Sequence, residues 1–265
     1  MLGRTFVRMV SSEPQLVKTQ LADGVFTITL NSPERRNCVG HPTAKALVAA
    51  FEQFEANKDA KVAVIHGAGG NFCAGYDLKE VSEGGFRDID PSFIEKYRFM
   101  GPTAMNLGKP LIAAVEGFAV AGGLELSLLA DMRVAGRSAK FGVFCRRFGV
   151  PLIDGGTVRL PKVIGLGRAL DLILTGREVN SDEAERIGLV NRVVDDGQAL
   201  SEATKLASLI GKFPEQCMLA DRRSVYNSLS STYSEALSYE YKQGQSVLEE
   251  AIKGAGRFVN KKSKM

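Results

Sequence analysis

Two glycine-bearing segments of the sequence have residue types that could hold a negatively charged oxygen. Residues 71–80, Asn-Phe-Cys-Ala-Gly-Tyr-Asp-Leu-Lys-Glu, follow a short apolar run and lead into a polar helix start. Residues 116–125, Glu-Gly-Phe-Ala-Val-Ala-Gly-Gly-Leu-Glu, have the same arrangement. Backbone N–H groups at a helix start have no intrahelical acceptor, so two such corners that face each other would form a cradle for an oxyanion. Either corner taken alone is more simply a tight turn between a strand and a helix.

The acidic residue that ends the second segment is a candidate for proton transfer. Glu125 follows Gly122 by three residues, about one helical turn, and its flanking residues are mostly apolar. An apolar setting raises the pKa of a carboxyl group and so suits it to general acid and base work near neutral pH. An acid early in a helix also interacts with the helix dipole, and that structural role is the alternative.

Strands that alternate with helices must position these two corners. Alternation and chain breakers predict strands at 16–20, 25–30, 62–65, 111–115 and 132–135, and Asp-Gly at 23–24 predicts a hairpin between the first two. Helical periodicity predicts helices at 43–54, 94–105, 122–130, 168–175, 181–187, 199–211, 215–228 and 234–251. Ser181 is the predicted N-cap of the 181–187 helix. This order predicts an α/β sheet with crossover connections, followed by a helical C-terminal region.

The change to consecutive helices divides the chain into three predicted parts. Residues 1–14 form a lead-in that we expect to be disordered, although Arg4 and Arg8 without any acid also suit an organelle transit peptide. Residues 15–200 form the α/β core, and residues 201–265 form the helical region.

Composition excludes several classes of protein. Of the 265 residues, 45% are apolar and 24% are charged, which excludes whole-chain disorder, collagen and coiled coil. The net charge of +4, from 34 basic and 30 acidic residues, is too small to imply a nucleic-acid partner. Four scattered cysteines indicate free thiols in a reducing compartment, and two histidines argue against a metal site. No apolar run approaches the roughly 20 residues of a membrane-spanning helix, so no membrane partner is expected.

Several ordered motifs resemble those of the crotonase (enoyl-CoA hydratase/isomerase) superfamily. Residues 72–80 are similar to its F-C-A-G-x-D-[LI]-x-E segment. Residues 110–125 are similar to its P-x-I-A-A-[VI]-x-G-x-x-x-G-G-G-x-E segment, with Ala121 in place of the first glycine of the triplet. The resemblance covers roughly residues 15–262 and continues through Asp131 and through 141–142, 155–157, 159–160, 174–176 and 184–190.

This resemblance implies a crotonase-like spiral of ββα units that binds an acyl-CoA thioester and assembles as a homotrimer or a dimer of trimers. By position, the family's two oxyanion N–H donors fall on Tyr76 and Gly122, and its first catalytic glutamate falls on Glu125. A thioester enolate carries its negative charge on the carbonyl oxygen, where two fixed donors are most useful. The family implies no metal and no cofactor beyond the CoA of the substrate, and its CoA contacts fall on Arg36, Ala74, Phe258 and Lys261.

One position departs from the pattern of the hydratases. Their Phe-Gly-x-Pro-Glu segment corresponds to Phe-Gly-Val-Phe-Cys at 141–145, so Cys145 takes the place of the second glutamate. A thiol that is mostly neutral near pH 7 is a poor substitute for a carboxylate. Three explanations stay open: Glu125 acts alone, Asp154 supplies the second carboxylate, or the protein binds acyl-CoA with little turnover. For Asp154, an Asx turn before two glycines is an equal alternative.

The surroundings of the acyl group are less specific in the sequence. Arg146 and Arg147 are expected at the surface or at an interface, although one of them could hold a charged acyl group. A stripe of large apolar side chains could line an acyl pocket, but such stripes are more often core; its members are Phe93, Tyr97, Phe99 and Met100.

The sequence therefore predicts an enoyl-CoA hydratase-type lyase that acts through an oxyanion-stabilised enolate. An enoyl-CoA double-bond isomerase, an acyl-CoA decarboxylase and a catalytically weak acyl-CoA-binding protein are the alternatives. Because the cysteines point to a reducing compartment, we expect a cytoplasmic protein, with the mitochondrial matrix as the alternative.

Overall fold

The computed structural model describes the backbone of residues 15–262 and the side chains of residues 15–260. The predicted lead-in at 1–14 lies outside the described residues. Over the described range the strands are β1 (Val17–Ala22), β2 (Val25–Leu30), β3 (Val62–Gly67), β4 (Leu111–Val115), β5 (Phe118–Val120), β6 (Met132–Gly136), β7 (Lys140–Gly142), β8 (Glu178–Asn180) and β9 (Arg192–Val194).

The helices over the same range cover and follow these strands. They are α1 (His41–Ala56), α2 (Leu78–Ser82), α3 (Pro91–Tyr97), α4 (Gly122–Ser127), α5 (Gly156–Ile164), α6 (Leu166–Thr175), α7 (Ser181–Arg186), α8 (Ala199–Ile210), α9 (Glu215–Ser228), α10 (Tyr233–Gln245) and α11 (Leu248–Lys262). The predicted α/β class with a helical C-terminal region is confirmed.

A large sheet forms the first layer of the fold, with the strand order β1-β2-β3-β4-β6-β9. The hairpin of β1 and β2 is antiparallel, and every other neighbouring pair is parallel. At the predicted hairpin turn, Asp23 and Gly24 both adopt positive φ, as a tight two-residue hairpin turn requires. The remaining parallel connections need crossovers, and these carry the helices.

A second, smaller layer lies beside the large sheet. Its strands are β5, β7 and β8, and single bridges join Cys73 to Ala119 and Val39 to Tyr76 in the same direction. A strand of the large sheet is thus followed by a short strand in the second layer, as β4 is by β5 and β6 is by β7. Stacking of these repeated corners produces the spiral of ββα units.

The large sheet is buried on both faces because a helix packs on each. Leu47, Phe51 and Phe54 of α1 belong to the main core, together with Phe26 and Ile65 of the sheet. On the other face, Ala203 and Ala207 of α8 pack against strand side chains that point to the opposite side of the sheet. These side chains are Val25, Val62, Val64, Ile112 and Val134. Burial on both faces explains why the parallel strands are almost continuously apolar in sequence.

Three helix predictions were wrong in their bounds. The helix predicted at 94–105 ends at Tyr97, because Arg98 adopts a φ of 81° and Pro102 then starts a separate 3-10 turn. The helix predicted at 122–130 ends at Ser127. The helix predicted at 234–251 is two helices, α10 and α11, because hydrogen bonding tightens at Val247, whose N–H donates to the carbonyl of Gly244.

The predicted N-cap of α7 was also wrong by one residue. Asn180 has the extended backbone of a cap, and its side chain accepts the N–H of Glu183. Ser181 is already helical, and its hydroxyl donates to the carbonyl oxygen of Arg137 instead. Asparagine and serine are equally good caps, so local sequence does not distinguish them.

The domain boundary near residue 200 stays a prediction, but the packing bears on where the separate helices begin. Helix α8 starts at Ala199 and covers one face of the large sheet. Helix α10 packs mainly on α9, and α11 contacts α9 more sparsely. In the C-terminal half, α8 is therefore the last helix that packs on the large sheet, and the helices that follow it begin after Ile210.

We predict that a single methyl group at the α4 corner disrupts the fold. A Cβ atom on Gly123 would overlap the carbonyl oxygen of Cys73, which cannot move without breaking the pairing of the two corners. Gly123→Ala is expected to lower the free energy of unfolding by about 1–3 kcal/mol in urea titrations. The control is Gly167→Ala in α6, where a Cβ meets no atom, and a gain of about 0.5–1 kcal/mol is expected. Equal effects of the two variants would contradict the prediction.

Candidate active site

The two glycine-bearing corners of the sequence lie side by side. The N–H of Phe72 donates to the carbonyl of Glu116 at 2.8 Å, and the N–H of Cys73 donates to that of Phe118 at 2.8 Å. Where the chains turn into their helices, a Cβ on Gly75 would lie 3.1 Å from the nitrogen of Gly122. Glycine at position 75, with a φ of 102°, therefore allows the two backbones to approach.

Two backbone N–H groups at this junction have no acceptor within the described part of the chain. They belong to Tyr76 and Gly122, and both residues line the same cavity. The neighbouring N–H of Asp77 is already used, because it donates to the carbonyl of Val39 at 2.9 Å. Two free donors at one cavity wall are what an oxyanion hole requires.

The residue that precedes the Gly122 donor has a strained backbone. Ala121 adopts a φ of 52° and a ψ of −125°, a region that L-residues with a Cβ rarely occupy. The sequence has alanine at this position, where the similar family motif has glycine. The backbone conformation of Ala121 is therefore strained in a way that glycine would not be. The Ala121 side chain reaches the cavity wall.

Glu125 lies on α4 and is almost completely buried, with 2% of its surface exposed. Its Oε1 accepts the N–H of Asp154 at 2.9 Å and the N–H of Gly156 at 2.8 Å. Its Oε2 accepts no hydrogen bond from the described residues, and the side chain lines the cavity. One carboxylate oxygen is thus held in place and the other is available to a bound molecule.

Burial is the main reason that the pKa of Glu125 rises to about 7, and the negative charge of Asp154 adds to the rise. The two backbone N–H groups on Oε1 oppose this rise without cancelling it. At neutral pH the carboxyl group is therefore populated in both protonation states, so it can both accept and donate a proton.

Asp154 lies on the loop before α5 and is also buried, with 3% of its surface exposed. Its Oδ1 accepts the N–H of Met100 at 2.8 Å and the hydroxyl of Thr103 at 2.6 Å. These partners are distant in sequence, so the Asx-turn alternative for this side chain was wrong. Burial raises its pKa, and the side chain lines the same cavity as Glu125.

The cavity beside these groups has a volume of about 270 Å³. Of the predicted pocket residues, Phe99 lines it, whereas Met100 is buried in the core and Phe93 packs against His41. Tyr97 donates its hydroxyl to Glu52 on α1 instead. The sequence analysis missed most of the apolar wall, which consists of Leu78, Val81, Phe86, Phe144, Phe148, Val150, Pro151 and Ile153. Phe144 was detectable only as part of the segment that departs from the hydratase motif, and Pro151 and Ile153 only as neighbours of Asp154.

The thiol of Cys145 lines this cavity, and burial is the main cause that raises its pKa. A thiol of raised pKa stays neutral and does not replace a carboxylate. Arg146 and Arg147 point away from the cavity, because they donate to the carbonyls of Ile173 and Gly176. Neither arginine can therefore hold a charged acyl group there, and that alternative was wrong.

Two of the predicted CoA contacts lie together, and a third lies elsewhere. The N–H of Ala74 donates to the carbonyl of Arg36 at 3.0 Å, and Ala74 lines the cavity. The guanidinium of Arg36 lies 5.0 Å from the centre of the Phe118 ring. Phe258 of α11 is 61% exposed and is not part of this cavity, and the side chain of Lys261 lies outside the described residues.

The described residues contain neither a metal-binding cluster nor a helix that could cross a membrane. Within this part of the chain, His, Cys, Asp and Glu side chains nowhere gather in a group of three that could hold a metal ion. The helices described there lack the combination of length and apolar character needed to cross a membrane.

We predict that relief of the strain at residue 121 stabilises the protein. Ala121→Gly is expected to raise the free energy of unfolding by about 1 kcal/mol, because glycine adopts this backbone without a steric penalty. The measurement is urea unfolding, with Ala49→Gly on the exposed face of α1 as the control. The control should lose about 1 kcal/mol. A loss in both variants would contradict the assigned strain.

We predict that the buried carboxyl group makes stability pH-dependent. Because folding raises the pKa of Glu125 from 4.5 to about 7, the folded state favours the protonated form, and that contribution is lost as pH rises through 7. The glutamine side chain of the Glu125→Gln variant has no charge at any pH. The free energy of unfolding of this variant relative to that of the wild type should therefore increase by roughly 2–3 kcal/mol between pH ~5 and pH ~8. The exposed Glu95→Gln is the control in the same urea titrations. A pH-independent difference between wild type and Glu125→Gln would refute the raised pKa.

Comparisons with known proteins identify the family to which the chain belongs. The family model for enoyl-CoA hydratase/isomerase matches residues 20–264. A probable enoyl-CoA hydratase of Rhizobium meliloti is 37% identical over 259 residues, which cover 96% of this chain and 97% of that protein. The carnitinyl-CoA dehydratase of Escherichia coli O157:H7 is 35% identical, with 90% and 93% covered. The crystal structure of a probable enoyl-CoA hydratase/isomerase from Mycobacterium abscessus superposes with a TM-score of 0.82 at 40% identity, covering 94% of this chain and 97% of that one. The chain belongs to the enoyl-CoA hydratase/isomerase family.

Proposed function

We propose that the protein is an enoyl-CoA hydratase-type lyase that adds water across the α,β double bond of an enoyl-CoA thioester through an enolate. The observation that carries this proposal is the arrangement around one cavity. Two free N–H donors, on Tyr76 and Gly122, share its wall with the unbonded Oε2 of Glu125. Related proteins that carry the name enoyl-CoA hydratase support the same activity.

In this proposal the thioester carbonyl oxygen lies between the N–H groups of Tyr76 and Gly122. As water adds to the β-carbon, negative charge develops on that oxygen, and each donor lowers the barrier by roughly 3–4 kcal/mol. The Oε2 of Glu125 accepts a proton from the attacking water, so that hydroxide oxygen bonds to carbon. The enolate then takes a proton at its α-carbon, which restores the thioester carbonyl and completes the addition of one water molecule.

We assign the α-carbon proton to Asp154 as the first choice. The family resemblance puts Cys145 at the position of the usual second glutamate, and a neutral thiol of raised pKa is a poor acid. Asp154 is the other carboxyl group at the cavity, and its Oδ2 accepts no hydrogen bond from the described residues. Burial raises the pKa of this carboxyl group, which makes it easier to protonate than an exposed aspartate.

A double-bond isomerase is the second candidate, because one observation favours it. Glu125 alone, with a pKa of about 7, could remove a proton from one carbon of an enoyl thioester and return it to another. That reaction uses the same oxyanion donors and needs no second carboxylate. Under this alternative Asp154 only holds Met100 and Thr103 in place.

We further propose that Arg36 and Ala74 contact CoA in the same chain, and that Phe258 and Lys261 serve the site of a neighbouring subunit. Helix α11 exposes apolar side chains, including Ile252 at 65% and Val259 at 63%. Assembly as a homotrimer or a dimer of trimers would cover them and would bring this helix to another cavity.

We predict that the purified protein hydrates crotonyl-CoA, measured as loss of the absorbance of the conjugated thioester. Glu125→Gln is expected to lower kcat by at least about 100-fold, in line with loss of a general acid or base. Asp154→Asn is expected to lower it similarly if Asp154 donates the α-proton. The exposed Asp59→Asn is the matched control and should keep wild-type activity.

The pH dependence of the same assay distinguishes the role of Glu125 as the base from that of Asp154 as the donor of the α-proton. If Glu125 is the base, kcat/KM for hydration should rise with pH through about 7. If Asp154 is instead ionised and takes no part in the proton transfer, its charge raises the pKa of Glu125, and the activity of Asp154→Asn should rise at lower pH than that of the wild type. Rapid hydration by Asp154→Asn would show that Glu125 suffices, and no hydration by wild type that binds CoA esters would favour the isomerase.

A further inference from the structure

Two neighbouring glycines in the loop before α5 allow two charged side chains to lie against its backbone. A Cβ atom on Gly156 would lie 2.9 Å from Oε1 of Glu125. A Cβ atom on Gly155, which has a φ of 96°, would overlap a guanidinium nitrogen of Arg159. Arg159 belongs to the 159–160 segment of the family resemblance, and the proposed reaction gives this arginine no role.

The guanidinium of Arg159 links the two backbone segments that hold the Asp154 side chain. Its Nη2 donates to the carbonyl oxygen of Thr103 at 2.6 Å, and its Nη1 donates to that of Asp154 at 3.3 Å. The hydroxyl of the buried Thr103 donates in turn to Oδ1 of Asp154 at 2.6 Å. The three residues therefore form a closed ring of hydrogen bonds, for which the planar fork of an arginine is well suited.

The charge of Arg159 acts on both carboxyl groups of the site, although its side chain does not line the cavity that contains them. It lowers the pKa of Glu125 and that of Asp154, against the larger effect of burial. Burial lowers the pKa of Arg159 itself, but a guanidinium keeps its charge near neutral pH. A fixed cation therefore lies behind the two carboxyl groups.

Other ionisable groups that face these carboxyl groups come from several elements. The charge of Arg98, after α3, lowers the pKa of Asp154. Burial raises the pKa values of Cys145 and Tyr76, so both side chains are uncharged near neutral pH. Tyr226 of α9 faces the guanidinium of Arg159. Among these groups, Arg159 is the cation that acts on both carboxyl groups.

We propose that Arg159 is a positioning residue that holds the loop of Asp154 and supplies the counter-charge for the negative charge that Glu125 and Asp154 share. The inference rests on the proposed function, because it concerns how the two groups share one charge during hydration. When Glu125 takes a proton from water and Asp154 gives one to the α-carbon, the negative charge moves from Glu125 to Asp154. Exchange with solvent, in which Glu125 loses a proton and Asp154 gains one, restores the starting state. A cation close to both groups stabilises the charge in either place.

The first test follows the pH at which kcat/KM for hydration of crotonyl-CoA rises. A neutral side chain at position 159 removes a charge that favours ionised carboxylates, so both titration steps of the coupled pair should move to higher pH. In Arg159→Gln and in Arg159→Met the rise is expected to move upward by about 0.5–1 pH unit. Because the pKa of Glu125 is about 7, kcat/KM at pH ~7 should fall by roughly two- to sixfold from this cause, and this loss should recover at higher pH.

Arg159→Lys separates the charge from the hydrogen bonds. Lysine keeps the charge but lacks the planar guanidinium that reaches both carbonyl groups. The pH of the rise should stay within about 0.3 unit of that of the wild type. In contrast, kcat should fall at least about threefold at every pH, because Asp154 is held less firmly. A wild-type kcat in Arg159→Lys would refute the positioning role. The control is Lys162→Gln on the same helix, whose exposed amine donates to the carbonyl of Leu229, and it should leave both quantities unchanged.

The second test needs no turnover and measures the titration of Glu125 directly. In protein that is isotope-labelled at the glutamate carboxyl carbons, the NMR resonance of Glu125 is the one that Glu125→Gln removes. Its titration midpoint should move to higher pH in Arg159→Gln and Arg159→Met, and should stay in place in Arg159→Lys. An unmoved midpoint in either neutral variant, with folding verified by circular dichroism, would refute the counter-charge. A moved midpoint in a protein that hydrates no enoyl-CoA would support the counter-charge and overturn the proposed function instead.

Discussion

The close approach of two strand-to-helix corners is the constraint on which the rest of the site depends. The backbones meet at the bridge between Cys73 and Ala119, and the carbonyl oxygen of Cys73 leaves no room for a Cβ on Gly123. Because the two turns are this close, their free N–H groups face one cavity. Neither corner could form an oxyanion hole by itself, since each supplies one donor.

The candidate catalytic carboxyl group, that of Glu125, depends on a third segment of chain that reaches the same cavity. Glu125 is anchored through one oxygen by the N–H groups of Asp154 and Gly156, from the loop before α5. Those hydrogen bonds fix its orientation, and burial raises its pKa to about 7. The same loop places a second carboxyl group at the cavity. The surroundings that hold the Glu125 side chain rigidly therefore also raise its proton affinity. The cost is a lower stability of the folded protein above neutral pH.

The wall of the cavity around the two carboxyl groups is apolar. Side chains from segments before and after α4 form it, and Arg146 and Arg147 are directed to carbonyl groups elsewhere. The ionisable carboxyl groups at this cavity are therefore the two to which we assign proton transfer, Glu125 and Asp154. Tyr76, whose hydroxyl donates to the carboxylate of Glu80, has its N–H at the oxyanion position while its ring forms part of the wall.

The sequence alone determined the strands 25–30 and 111–115, the two corners and the candidate Glu125, because glycine turns, apolar runs and family motifs are local signals. It could not decide the role of Asp154, whose partners Met100 and Thr103 are about fifty residues away. Nor could it show that Arg146 and Arg147 turn away from the cavity or that Tyr76 is anchored by Glu80. Hydrogen bonds and burial between distant segments exist only in the folded chain, so only tertiary structure assigns a pKa, a cavity wall or a free donor.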